Sequence, residues 1–342
     1  MGESVLPKYS RSRAEVLSRS LGDVFLVPGQ GVNPYRSMES HFLAQNRTVR
    51  RVLSVVDSVA SEHGYPAVTD LVLGRKSPSV QQDGAEQLAT YASSVAMLAL
   101  LRERGTYPSA IVAQSMGEIA AWVAAGAHSV ESGAHAVCFL NDAHAAHPCE
   151  GGLVIAATDE EGAKNLIRRV GSPDLVIAGL NTARQTLLSG GEEAVGSLLA
   201  LVDQPGVPRL RRLSVPYATH HPRLEPIARQ FESALRTLPM GPPQVPVYSI
   251  VGRRWYADAD ADADAFYRSL ADCVIKPMYL REALEQFSAN RPERFIELGA
   301  GDNMTRATRI VLRGSSTIAP LARDIFWLSS FMGSSAVSGS QS

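Results

Sequence analysis

Ser109-Ala110-Ile111-Val112-Ala113-Gln114-Ser115-Met116-Gly117-Glu118-Ile119-Ala120-Ala121-Trp122 reads as a short buried strand, a sharp turn and a helix. Ile111 and Val112 supply the apolar strand. Gly117 follows Ser115 by two, and Ala120, Ala121, Val123 and Ala124 continue as good helix formers. A serine on a strand-to-helix turn of this kind is a nucleophile elbow. Its hydroxyl stands clear of the backbone, and the next amide N–H points where an oxyanion would form. The usual elbow is Gly-x-Ser-x-Gly; Ala113 takes the first glycine place and adds one methyl at a crowded position. The pentapeptide alone also fits an ordinary strand-to-helix turn, so a nucleophile needs a partner elsewhere in the chain.

With 342 residues the chain can bury a large core, as one domain or two lobes. A hydrophobic share of 45% and a charged share of 20% match a globular enzyme rather than a disordered or fibrous chain. The net charge of −1 gives no global pull toward nucleic acid or membrane, so a charged partner must meet a local patch. Cys138, Cys149 and Cys273 form no CxxC pair or disulfide spacing, which suits a reducing cytoplasm. No apolar run is long enough to span a bilayer, and the first residues lack a signal-peptide core.

Working outward, Val24 to Val27 is a buried strand ending at Pro28-Gly29-Gln30-Gly31, a turn that lets backbone approach a ligand. Helices are expected around Met38 to His41 and Thr48 to His63. From Glu86 to Arg104, Leu88, Tyr91, Val95, Leu98 and Leu101 recur at helical spacing and Gly105 stops the run. A further helix covers Val130 to Ala146. From Gly152 the texture changes to β-α-β-β-α-β: strands at 153–157, 175–178, 185–189 and 209–215, with helices at 160–170 and 193–201. That order predicts a small ferredoxin-like lobe. The chain then returns with a helix from Pro226 to Leu238, a strand from Val245 to Val251, a helix from Tyr279 to Ala289 and a strand from Arg294 to Leu298. Thr305 to Leu312 is a helix or strand end. The alternating Asp and Ala of 258–265 read as a solvated loop or helix start. The expected organisation is a polar extension (1–23), a large catalytic domain (24–151 and 215–330), the ferredoxin-like subdomain (152–214) and a disordered tail (333–342).

A partner for Ser115 stands at Val215-Pro216-Tyr217-Ala218-Thr219-His220-His221-Pro222, just before a helix that starts near Pro226. A neutral imidazole there would take the proton from Ser115 and return it to a leaving thiol. A surface histidine pair capping a helix reads equally well from these residues alone.

Six blocks, in order, resemble the acyl-carrier-protein acyltransferases of fatty acid and polyketide synthesis, typified by malonyl-CoA:acyl carrier protein transacylase. Phe25 to Gly31 resembles F-x-F-P-G-Q-G, with Val27 for the second Phe. Gln87 lies where the family has a Gln before its long helix. Ala113 to Gly126 resembles G-H-S-x-G-E-x-x-A-x-x-x-A-G, Asn181 sits in a segment similar to A-N-x-N-S-P, His220 to Pro226 resembles H-S-P-L-M-E-P, and Glu297 to Gly301 resembles E-x-G-P-G. The resemblance covers roughly residues 24 to 320. It implies an α/β fold: a large parallel-sheet domain like that of the α/β hydrolases, with an inserted small ferredoxin-like subdomain. Ser115 would be the acyl-accepting nucleophile and His220, rather than His221, its base. The backbone N–H groups of Gln30 and Met116 would form the oxyanion hole. Gln87, Gln114, Leu140, Asn181 and Tyr217 would line the pocket. The family holds its histidine through a main-chain carbonyl, here near Cys273 to Lys276. No cofactor is implied; a coenzyme A or phosphopantetheine thioester would be the substrate and an acyl carrier protein the partner, the donor being acyl-CoA or a second loaded carrier. Arg306 and Arg309 would meet the acidic carrier.

The departures bear on the cargo. The family's malonyl-transferring members place an Arg in the helix after the elbow, against the substrate carboxylate. No Arg or Lys occurs between Gly105 and Ala163, and Phe139-Leu140-Asn141-Asp142 fill the expected place. A carboxylate there would lose hydration without gaining a cation, at a cost on the order of several kcal/mol. Gln114 replaces the family's His, and Tyr217-Ala218-Thr219-His220 resembles Y-A-S-H, associated with larger acyl groups. The expected cargo is therefore a neutral acyl group, or one bearing an amine that Asp142 would pair. Three rival readings are an editing hydrolase, ordinary malonyl transfer with a cation from Arg211, Arg212 or a C-terminal residue, and a non-enzymatic carrier-binding scaffold, against which the presence of both Ser115 and His220 speaks. His144-x-x-His147 near Cys149 lacks a fourth ligand and reads as a polar helix end rather than a metal site. Gly299-x-Gly301 is too short for a dinucleotide motif.

Overall fold

The computed structural model describes residues 21–31, 33–75, 84–257, 263–322 and 324–333. The first strand, β1 (Asp23–Val27), is buried along its whole length, as a central strand of a parallel sheet covered on both faces must be. It pairs in parallel with β2 (Ala110–Ala113), the strand that feeds Ser115. A second sheet is inserted before the first is completed. Four strands, β3 (Gly152–Ala156), β4 (Leu175–Thr182), β5 (Gln185–Gly190) and β6 (Leu210–Arg212), form it in the antiparallel order β4-β5-β3-β6. With the helices Glu160–Val170 and Glu192–Leu199 this is the ferredoxin-like arrangement the sequence order predicts. The chain returns with β7 (Val247–Ser249), β8 (Arg254–Tyr256), β9 (Arg294–Glu297) and β10 (Thr317–Ile318). The large sheet runs β10-β9-β1-β2-β7-β8, parallel throughout except for β8 against β7.

The period-2 alternation of β1 and β2 divides the large core. Phe25, Val27, Ile111 and Ala113 face the helices Arg47–Glu62, Ala85–Glu103 and Val130–Ala146. Val24, Leu26 and Val112 face the other way, onto Met304 and Ala307 of the helix Asn303–Val311 and onto Leu153, Ala178 and Leu187 of the small sheet. The small sheet therefore shares one core with the large one, and its other face carries its own cluster around Val154, Leu188 and Leu198. Backbone bonds from Leu180 N to Met278 O (2.8 Å) and from Met278 N to Ala178 O (2.9 Å) tie β4 to the segment that follows the helix Ala263–Ile275, beside the site.

Several elements differ from the sequence expectation. A helix runs over Ala263–Ile275, with Phe266, Leu270 and Val274 buried one turn apart on one face. The Asp-Ala alternation hides its start, and residues 258–262 lie outside those described. Arg254 opens β8, a strand the sequence pattern does not predict. Of the two alternatives for Thr305 to Leu312 the helix is the one observed, as Asn303–Val311, whereas Gly333, assigned to the tail, closes a helix Ile325–Gly333. Of the expected extension 1–23, Leu21 is buried and Asp23 opens β1, so the folded part starts earlier than expected; residues 1–20 and 334–342 lie outside those described.

Candidate active site

Ser115 connects β2 to the helix Gly117–Ala124 with φ 56°, a left-handed conformation that a serine adopts only under constraint. Two glycines make room for it. A Cβ on Gly117 would stand 2.4 Å from the Val27 carbonyl oxygen. One on Gly29 would stand 2.7 Å from the Gln114 carbonyl oxygen and 2.8 Å from Ser115 Cβ. The turn of Pro28 to Gly31 is thus pressed against the elbow. Gly299 closes the third side, where a Cβ would meet Pro28 Cγ at 2.2 Å. Glu297, just before it, is buried and accepts from the N–H groups of Thr305 (2.8 Å) and Met304 (3.3 Å), which fixes the start of the helix Asn303–Val311. Burial pushes its carboxyl up to about 7 despite those bonds.

His220 lies 105 residues after Ser115, and its Nε2 sits 2.9 Å from Ser115 Oγ. It too is left-handed, with φ 58°. Two carbonyls at the end of the helix Ala263–Ile275 hold it. The Val274 oxygen accepts from His220 N (2.8 Å), and the Lys276 oxygen accepts from Nδ1 (2.9 Å). A carbonyl only accepts, so Nδ1 carries the proton and Nε2 presents its lone pair to the serine hydroxyl. Burial drives this imidazole down to about 4, opposed by the Lys276 carbonyl, and it is neutral at pH 7. His221 faces away: its Nδ1 accepts from Arg223 N (3.1 Å) and its Nε2 donates to Asp174 O (3.1 Å). Among the described residues neither Gln30 N–H nor Met116 N–H has a hydrogen-bond partner, and Met116 caps the helix that follows the serine. Met116 lies at a helix start, where developing negative charge is favoured, and Gln30 lies in the turn after β1.

Ser115 separates two spaces. On one side is a tight inner pocket of about 20 Å³, lined by Ile119, Leu140, His144, Phe231, Leu270 and Val274 among others, with no Arg, Lys, Asp or Glu. On the other is a cleft of about 300 Å³ between the two sheets, lined by Gln114, Asn181, Arg211 and Arg306 among others. Tyr217 walls the inner pocket. Its hydroxyl donates to Gln30 Oε1 (2.5 Å) and accepts from Gln87 Nε2 (3.1 Å), and burial pushes it up to about 12.

Most of the pocket residues expected from sequence border one of these spaces: Leu140 and Tyr217 the pocket, Gln114 and Asn181 the cleft, Gln30 both. Gln87 borders neither; it stands behind Tyr217 and acts through its hydroxyl. Arg306 reaches the cleft, paired with Asp302 at 3.1 Å, while Arg309 is exposed one turn away. Asp142 is not in the pocket. Tyr65 Oη donates to it at 2.7 Å and His63 Nδ1 lies 3.3 Å away, so it cannot pair an amine on the cargo. Arg212 is held by Glu192 through two 2.6 Å bonds, away from the cleft. Sequence reasoning missed His144, which borders the inner pocket one turn after Leu140; the i, i+4 spacing was the available signal. It also missed Leu270 and Val274, on a helix it did not predict. No cluster of three metal-ligating side chains occurs among the described residues.

Residues 24–333 match the family described as "Acyl transferase domain". The chain belongs to this family. Among its relatives, polyketide synthase GfsE of Streptomyces halstedii is 31% identical over 255 residues, 73% of this chain and 7% of that protein. The pikromycin polyketide synthase component PikAII of Streptomyces venezuelae is 28% identical over 299 residues, 86% of this chain and 8% of its own length. The chain thus spans a small fraction of these relatives. Among solved structures, the malonyl CoA-acyl carrier protein transacylase of Coxiella burnetii superposes with a TM-score of 0.79 at 22% identity, covering 91% of this chain and 97% of that one. The acyltransferase domain from module 8 of the salinomycin polyketide synthase gives 0.78 at 25% identity, covering 91% and 74%. The α/β fold with its parallel sheet is the fold of these acyltransferases.

Proposed function

We propose that this chain is a ping-pong acyltransferase that moves an uncharged acyl group from a thioester onto an acyl carrier protein. His220 Nε2 takes the Ser115 proton as Oγ attacks the thioester carbonyl. The oxyanion rests on the N–H groups of Gln30 and Met116. The C–S bond then breaks, His220 returns the proton to the leaving thiolate, and the acyl group stays on Ser115. The phosphopantetheine thiol of a carrier protein reverses these steps and leaves with the acyl group. The donor is acyl-CoA or a second loaded carrier, and its arm would lie in the cleft lined by Asn181 and Arg306. One structural neighbour is a type II polyketide acyl carrier protein in complex with its malonyl-transacylase, which supports a carrier as partner.

The observation that carries the choice of cargo is the inner pocket. Leu140 stands where malonyl-transferring members are expected to hold a cation, and no lining residue is ionised at pH 7. A carboxylate would lose its hydration there uncompensated, and so would an ammonium, since Asp142 is tied up elsewhere. The exclusion works on both signs of charge.

Intact-mass measurement of Ser115 acylation with malonyl, butyryl and aminoacyl thioesters, followed by addition of unloaded carrier, tests this reading. Butyryl is expected on Ser115 and then on the carrier. Rapid release of free acid without transfer would make the chain an editing hydrolase. Efficient malonyl labelling at low donor concentration would assign the cleft's Arg211 the role of the missing cation.

A further inference from the structure

The inner pocket is not purely apolar, and its one unexplained polar group is His144. Helix position i+4 from Leu140 puts the imidazole on the same pocket wall. Its ring lies 4.3 Å from that of Tyr217 at 34°, which fixes its plane. Neither ring nitrogen has a hydrogen-bond partner among the described residues. The other polar groups of the pocket wall are engaged or lie at its mouth. The Tyr217 hydroxyl and the Gln30 amide oxygen bind each other. Cys273 is hydrogen-bonded to the buried Glu118. Ser115 and Thr219 border pocket and cleft alike, whereas His144 borders the pocket alone.

His144 is half-buried and its ring nitrogens are not among the buried unpartnered atoms, so water reaches them, and a cargo that enters the pocket must replace that water's hydrogen bonds. The imidazole offers one N–H and one lone pair, which match a hydroxyl or a carboxamide and give nothing to a methyl. Burial drives it down to about 4, so it is no substitute for the absent cation at neutral pH. The pocket as a whole, at about 20 Å³, has room for about one water, which restricts the cargo to a short chain.

Resting on the acyltransferase reading, we propose that His144 selects a compact, uncharged acyl group carrying a hydroxyl or carboxamide, by hydrogen-bonding that group at the end of the inner pocket. The test compares kcat/KM for Ser115 acylation by 3-hydroxybutyryl, malonamyl and butyryl thioesters of one phosphopantetheine carrier. The wild-type chain should favour the first two over butyryl by roughly five- to tenfold, the worth of one neutral hydrogen bond. His144→Leu should bring that ratio to about one, and His144→Gln should keep part of it. A wild-type ratio near one, or a ratio untouched by His144→Leu, overturns the proposal. Should His144→Leu lose butyryl activity as well, His144→Gln decides: a ratio above one sustains the proposal and a ratio of one overturns it. Absence of any acyl-enzyme with all three thioesters would instead overturn the acyltransferase reading itself.

Discussion

The inner pocket and the outer cleft meet at one hydroxyl yet are built on opposite rules. The pocket is tight, walled by aliphatic and aromatic side chains, and holds no ionised group. The cleft is more than ten times larger and exposes amides and guanidinium groups, with Asn181 Oδ1 buried and unpartnered. Under the proposed function the pocket discriminates by refusing charge, since desolvation penalises any ion that enters, and the cleft binds by offering polar partners to an arm that stays partly in water. On that reading selection of cargo and recognition of carrier are separable, and each can be altered alone.

The most severe way to break the comparison is to remove the atom both spaces share. Ser115→Ala should lower acyl transfer by about 10⁴-fold or more and abolish the covalent adduct seen by intact mass. Leu140→Arg puts a guanidinium into the pocket. Malonyl acylation should rise by roughly tenfold or more while butyryl acylation falls, measured as the ratio of their kcat/KM values. Arg306→Ala touches only the cleft. It should raise KM for a carrier-bound donor by about three- to tenfold, reduce the salt dependence of transfer, and leave the acyl preference unchanged. The mildest probe is pH. The base works only as neutral imidazole, and His220 protonates near 4. Activity should stay level from pH 8 to about 5 and fall to about half near pH 4; an acidic limb near 6.5 would mean that burial does not hold the imidazole neutral.

Much of this architecture is legible in the chain. Ser115 and His220 are readable because the backbone must do something unusual at each, and the neighbouring small residues and prolines record it. The small lobe is readable because its strands and helices alternate cleanly, with Asp159 and Gly171 bracketing one helix. What fails is whatever depends on how a helix is rotated against its neighbours. Asp142, Leu140 and His144 share one helix, and only packing decides that the first turns to Tyr65 while the other two face the pocket. The Asp-Ala run yields at most the start of the helix Ala263–Ile275, and the period of Phe266, Leu270 and Val274 that extends it goes unread. Gln87 stands close to the site, but its contact runs through Tyr217 and no spacing encodes that.

The carbonyl of Lys276 stands where many serine enzymes put an acidic side chain. A dipole with no net charge steadies a transient imidazolium less than an anion would. Proton return is correspondingly downhill, and the base gives its proton up readily. Such a relay is matched to departing groups that need little help, and sulfur, with an ordinary thiol pKa of about 8.5, is one. An amine leaving from an amide would demand a stronger acid held for longer. Under the proposed function, chemistry of this kind would pass activated groups between sulfur atoms while leaving peptide bonds intact.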